Sequence, residues 1–191
     1  MGQGGECPWG LEIVDFPDPM LEGVIRSALG KYEGDICTFD LIILWEIWGL
    51  NRGISDLSGL EHCKLLRYAH FDRNQVSDLS PLVGLTNLVE LQLDRNQIFD
   101  LSPLVGLLKM GALDLHDNQI SDISPLEGMT GFYYLDLSNS QIRDIYPLTE
   151  NSGIDDGDDV DLRGNPLSST SCDMYIPVLE GRGLNVHHDC P

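Results

Sequence analysis

The chain has 191 residues and carries 31 acidic against 11 basic side chains, a formal net charge of −20 at pH 7. So negative a surface repels phosphate backbones and anionic lipid. It argues against nucleic acid and membrane surfaces and leaves a basic partner, divalent cations or plain solubility. The length fits one domain, no run approaches the length of a transmembrane helix, and the apolar patch at residues 41–44 is far too short to span a bilayer.

Residues 1–10 read as a flexible lead-in. Their opening, Met1-Gly2-Gln3-Gly4-Gly5-Glu6, lacks the charged and apolar regions of a signal peptide, and Glu6 stands where myristoylation wants Ser or Thr. The protein therefore stays inside, or a leader lies outside this sequence. At Asp18-Pro19 an N-cap and a first-turn proline start a helix. Leu21, Val24, Ile25, Ala28 and Leu29 form its apolar face, and Gly30 ends it. A shorter helical turn is predicted over 38–44. Together these two form a cap over the open end of a repeat array.

From residue 44 the chain is organised on a period of twenty-two. Asn74, Asn96, Asn118 and then Ser140 recur within the frame L-x-x-L-x-L-x-x-N-x-I-x-D-L-S-P-L, filled by Leu88, Leu91, Leu93, Asn96, Ile98, Asp100, Leu101, Ser102, Pro103 and Leu104. A fixed short period with leucine at these offsets is the signature of a leucine-rich-repeat solenoid. The alternation Leu91-x-Leu93 is a short strand with one face inward. The asparagine sits where the chain leaves that strand, and its amide can satisfy buried backbone groups in the turn.

Ser-Pro at 80–81, 102–103 and 124–125 reads as N-cap and first residue of a tight 3₁₀ turn. No repeat can bury its own leucines, so neighbours must stack in chain order. The predicted fold is an α/β repeat: a right-handed solenoid with a parallel concave sheet and short 3₁₀ turns on the convex side.

Repeat one, from Leu44, is degenerate: Gly49 replaces an inward leucine and Arg52 the asparagine. Later repeats begin at Leu66, Leu88, Met110 and Phe132. After Leu148 the register breaks, because Asn165 lies twenty-five residues beyond Ser140. Three residues are inserted near 154–159. The strand Val160-Asp161-Leu162 then resumes, followed by a closing helix over 171–179 and an edge strand near 184–186. The expected organisation is a lead-in and helical cap over 1–43, five repeats over 44–153, and an acidic insertion, last strand and second cap over 154–191.

Five cysteines cannot all pair. Cys63 takes the slot of Leu85 and Leu107, so it should be a buried thiol. Cys172 and Cys190 are a candidate bridge, with free thiols the alternative. Cys7 and Cys37 flank the first cap and make a weaker pair.

The chain resembles the bacterial 22-residue leucine-rich-repeat family with internalin-type repeats. The head is similar in Phe16-Pro17-Asp18-Pro19, Leu29-Gly30-Lys31 and Gly34-Asp35-Ile36. The tail is similar in Val160-Asp161-Leu162-Arg163-Gly164-Asn165-Pro166-Leu167 and Tyr175-Ile176-Pro177. The resemblance covers residues 14–186. It implies protein binding or adhesion, a secreted or cell-surface setting, and no catalytic residues to carry over.

Six parallel strands spaced ~4.8 Å apart make a sheet roughly 24 Å across. That suffices for an interface of about 800 Å² per side. Its central outward column is Trp48, His70, Gln92, Asp114, Asp136 and Asp161. Tyr68, Glu90 and Tyr134 lie in one flanking column, and Leu50, Asp72, Asp94, His116 and Arg163 in the other. Outward Trp and Tyr are interface residues by type. The alternative is that the cap, through Trp9, covers Trp48 and Leu50. The carboxylates Asp94, Asp114, Asp136 and Asp161 would select a basic protein and speed its arrival. A rigid spacer within a larger surface protein is the competing function, and a calcium- or carbohydrate-binding domain the third.

Asp155, Asp156 and Asp158 could hold calcium but lack the spacing of an EF-hand loop, so a solvated loop is the plainer reading. His187, His188 and Cys190 crowd too closely to build a zinc tetrahedron. No nucleophile elbow, metalloprotease helix or phosphate loop occurs. The sequence predicts a monomeric, non-catalytic binder without a cofactor.

Overall fold

The computed structural model describes Cys7 and residues 10–191. Most of the lead-in expected over 1–10, and Trp9 with it, lies outside the described residues. The chain builds one seven-stranded sheet in strict sequence order, every pair parallel. Its strands are β1 (Glu46–Trp48), β2 (Tyr68–His70), β3 (Glu90–Gln92), β4 (Ala112–Asp114), β5 (Tyr134–Asp136), β6 (Asp159–Asp161) and β7 (Asn185–His187). Register advances by twenty-two residues per strand up to β5 and by twenty-five from Tyr134 to Asp159, as the leucine frame and its break require. The edge segment near 184–186 joins as a seventh parallel strand, one more than the six counted for the concave face.

Two ladders run inside the stack. Leucines and isoleucines from strands and convex turns form one continuous buried cluster from Val14 to Leu184. Beside it runs the asparagine ladder. Asn96 Nδ2 donates to Phe71 O at 2.9 Å and Leu93 O at 3.0 Å, while its Oδ1 accepts from Val76 N at 3.0 Å. Asn74, Asn118 and Asn165 repeat this pattern. Each amide thus ties two repeats together through carbonyls that water cannot reach. At 140 the rung fails: Ser140 Oγ is buried without a hydrogen-bond partner. The residue just ahead of the ladder, Asn51, Arg73, Arg95, Asp117 and Asn139 in turn, is left-handed with φ of 51–56°. Repetition in register lets these non-glycine residues hold a conformation they visit rarely.

The convex turns correct one expectation. Serine is not the cap of the Ser-Pro turns but their first residue, in Ser80–Leu82, Ser102–Leu104 and Ser124–Leu126. The cap acceptor is the aspartate two residues earlier. Asp78, Asp100 and Asp122 take the serine N–H at 2.8–2.9 Å. A carboxylate accepts more strongly than a hydroxyl, which explains an aspartate at this point in each repeat. Gly49 also finds its reason. A Cβ there would lie 2.7 Å from the Phe71 ring, so a larger neighbour fills the space the missing leucine leaves.

The first cap is helix α1 (Pro19–Leu29), followed by the short α2 (Thr38–Leu41). Asp18 does two jobs there. Its Oδ1 accepts from Met20 N and Leu21 N to start α1, and its Oδ2 accepts from Ser55 N, Ser55 Oγ and Asp56 N to dock α1 on repeat one. Burial would raise this carboxyl, but the N–H donors of Ser55, Leu21, Met20 and Asp56 outweigh it and hold it below its ordinary value. At the far end α3 (Tyr146–Glu150), a π-helical turn Ser171–Tyr175 and α4 (Ile176–Gly181) close the stack. The buried Asn151 pins that end through Leu126 O and Met129 O.

Both candidate bridges form, Cys7–Cys37 and Cys172–Cys190, each with Cα atoms 5.6 Å apart. Each ties a cap to itself. Cys63 is buried and free, and burial first, then Glu61, pushes its thiol up to about 12.

Candidate functional site

The frame fixes the inward residues, and the strands therefore aim Trp48, His70, Gln92, Asp114, Asp136 and Asp161 onto one face in register. What these side chains then do differs along the sheet.

At β1 and β2 the face is aromatic. Trp48 is 59% exposed, and its ring stacks on His70 with centroids 4.0 Å apart and planes 25° from parallel. His70 itself is buried. Burial lowers its pKa against the opposing pull of Glu90, Gln92 and Glu46, so a neutral imidazole backs the indole at pH 7. Its Nε2 lies 3.3 Å from Glu90 Oε1, and Gln92 Nε2 donates to that same oxygen at 2.9 Å. Leu50 is exposed beside Trp48. Between α1 and Trp48 runs an open groove of about 440 Å³, lined by Met20, Val24, Ala28 and Arg52. The described part of the cap thus leaves Trp48 and Leu50 uncovered.

A column outside the strand alternation adds to this half. Trp45 is 53% exposed and meets Tyr68 edge-on at 5.9 Å, with the Arg67 guanidinium 5.6 Å over the same Tyr68 ring. Four repeats on, Tyr133 lies across Gly111, where a Cβ would come within 2.6 Å of its ring. The clue was available: Trp and Tyr at the residue before the strand, where the frame asks for nothing apolar.

From β3 onward the face is acidic, and most of its charge is engaged. Asp114, Asp136 and Asp161 each accept the backbone N–H two residues on, from His116, Ser138 and Arg163 at 2.9–3.1 Å. Asp161 also chelates the Arg163 guanidinium, which outweighs burial and holds its carboxyl low. Tyr134 donates to Asp136 Oδ2 at 3.4 Å, and burial together with Asp136 and Asp114 raises its phenol. Asp72, Asp94 and Asp161 are buried. They are outward in register but not free in solution. Burial, then Asp94 beside it and Asp114 beyond, pushes Asp72 up to about 7. His116 is raised, since Asp114, Asp94 and Asp136 outweigh its burial.

The acidic insertion is tied into the tail. Asp158 spends a carboxylate oxygen on Asp155 N at 2.9 Å, and its carbonyl accepts from Asn185 N at 2.8 Å. Asp155 and Asp156 are exposed. Cys190, being bridged, offers no thiolate beside His187 and His188, which face Asp159 and Glu180 instead.

A family model described as Leucine Rich repeats (2 copies) matches residues 112–150. Among solved structures, an internalin (inlF) of Listeria monocytogenes is 25% identical with a TM-score of 0.71, covering 90% of this chain and 56% of that one. Internalin C2 of the same organism is 26% identical with a TM-score of 0.59, covering 91% and 94%. The chain is a leucine-rich-repeat solenoid similar to these internalins. It spans little more than half the length of the first of these internalins. A chain from the BIR3–SERK2 complex of Arabidopsis thaliana, 22% identical with a TM-score of 0.51 over 64% of this chain and 71% of that one, shares the fold. No curated protein matches the sequence.

Proposed function

We propose that the concave face captures a protein partner, with the aromatic half of the sheet as anchor and the acidic half as filter for a basic surface. The observation that carries this reading is Trp48: more than half exposed, yet held in place by a neutral imidazole 4.0 Å away. The leucine frame needs no aromatic there. A pre-ordered indole beside Leu50, Tyr68 and Trp45 loses little entropy on docking, which is the physical profile of an interface hot spot. Two disulfides in the caps support a secreted or surface setting, where such bridges persist. The net charge of −20 favours a monomer through self-repulsion.

The test is side-by-side capture from surface and secreted proteins of the cells that encode the chain. Wild-type protein is compared with a Trp48→Ala/Tyr68→Ala double variant, and affinities are then measured for what is retained. A partner held by the wild type should lose about 30-fold or more in the variant, taking ~2 kcal/mol as the hot-spot threshold. Equal capture by both removes the concave site and favours a spacer role.

A further inference from the structure

Across β3, β4, β5 and the turns at their ends, four carboxylates converge on one imidazole. His116 Nδ1 lies 2.9 Å from Asp114 Oδ1 and 3.9 Å from Asp136 Oδ2, while Nε2 lies 3.5 Å from Asp94 Oδ2 and 3.8 Å from Asp117 Oδ2. One donor atom each from Asp94, Asp114 and His116 falls within 4.8 Å of the other two, the only such grouping among the described residues. A second observation stands apart from that cluster. Asp72, on the neighbouring strand's exit, is 7% exposed, and its buried Oδ1 has no hydrogen-bond partner. Its carboxyl faces that of Asp94. Two buried carboxyls set against each other are costly unless they share a proton or a cation comes between or beside them.

We propose that Asp94, Asp114 and His116 bind one divalent ion of the zinc class, with the Asp72 carboxyl supporting it from the adjacent repeat. The donor set decides the class. An imidazole nitrogen among carboxylates suits zinc and its transition-metal neighbours, whereas calcium and magnesium take oxygen alone. The scaffold supplies preorganisation. Asp72, Asp94 and His116 occupy the same position of successive repeats, one strand spacing of ~4.8 Å apart, on a ladder fixed by backbone hydrogen bonds. Zinc–ligand bonds of about 2.0–2.2 Å need the donors closer than they stand, and Asp94 and Asp114 now meet different nitrogens of the ring, so the side chains must rotate to share one ion. Three protein donors leave a coordination position for water on the concave side, where the His116 side chain is still 23% exposed. The site stands whether or not the concave face binds a protein.

The experiment is calorimetric titration of ZnCl₂ into the chelator-treated full chain, paired with imidazole-selective ¹⁵N NMR. One equivalent should bind, and the resonances of one histidine out of five should shift. His116→Gln should weaken binding by at least about tenfold, while His187→Gln/His188→Gln binds as wild type. Equimolar CaCl₂ should not displace the ion. Asp72→Asn, which removes the orphaned charge, should weaken zinc several-fold yet raise the Tm of the metal-free protein by about 2–4 °C. No stoichiometric uptake, undiminished uptake by a folded His116→Gln, or displacement by calcium overturns the site. Should His116→Gln fail to fold, the wild-type spectrum decides. The zinc-shifted imidazole must then survive single Gln substitutions at His62, His70, His187 and His188.

Discussion

The two halves of the concave sheet are built on one backbone and use it differently. Strands β1 and β2 leave Trp48, Trp45 and Leu50 in solvent, with their polar neighbours satisfied behind them. From β3 to β6 the carboxylates turn back onto the chain, capping N–H groups and gripping Arg163 and His116. A row of aspartates is thus not the same thing as an acidic binding surface. The half that looks more chemical in sequence spends much of its charge on its own turns, and the half that looks greasy is the one left unspent.

That contrast can be strained in order of expected effect. Asp18→Ala removes five hydrogen bonds that seat α1 against repeat one, and should destabilise the chain by about 2–4 kcal/mol in denaturant titration. Hydrogen exchange should rise in β1 and β2 and not in β5 and β6; a uniform rise would show the halves to be one cooperative unit. The same carboxyl sets a pH dependence. Its folded pKa lies below the ordinary 3.8, so its contribution is complete above that value and is lost as pH falls through the folded one. Asp18→Asn should flatten that acid limb in thermal melts run between about pH 2 and pH 6.

Next in size is Trp48→Ala, expected to cost the partner about 2 kcal/mol by surface-plasmon binding while leaving Tm within about 2 °C, since the ring is exposed. Ser140→Asn completes the broken rung, supplying an acceptor in line for Ile120 N and donors for two carbonyls. It should stabilise by about 1 kcal/mol, or roughly 2–4 °C in Tm, with binding unchanged. The smallest effect belongs to Asp136→Asn, whose carboxylate is already occupied by Ser138 N. Association with a basic partner should slow only a few-fold at low salt and not at all at high salt. A larger loss there than at Trp48 would invert the assignment of anchor and filter.

The sequence displayed its inward residues plainly, because each repeat must present leucine at the same offsets to a neighbour that needs it. The insertion before Asp159 and the register of β1 to β6 come from that single requirement, and the helix at Asp18-Pro19 comes from its own cap and proline. What stayed hidden depends on contacts between repeats. Phe71 explains Gly49 only when the two strands lie side by side, and Asp78 caps Ser80 only once the turn has closed. Alternation also says which face a residue joins and nothing of its depth, so Asp72 and Asp94 read as outward while their neighbours bury them. Trp45 and Tyr133 fall one residue outside the strands, where alternation assigns them to neither face.

One consequence concerns the odd sulfur. A chain with five cysteines and two bridges risks thiol–disulfide shuffling whenever the fifth can reach the others as a thiolate. Cys63 lies between the convex turns of the first repeats, sealed by leucines and with its proton held far above neutral pH. Stacking the second repeat on the first therefore locks the reactive group away from both cap bridges.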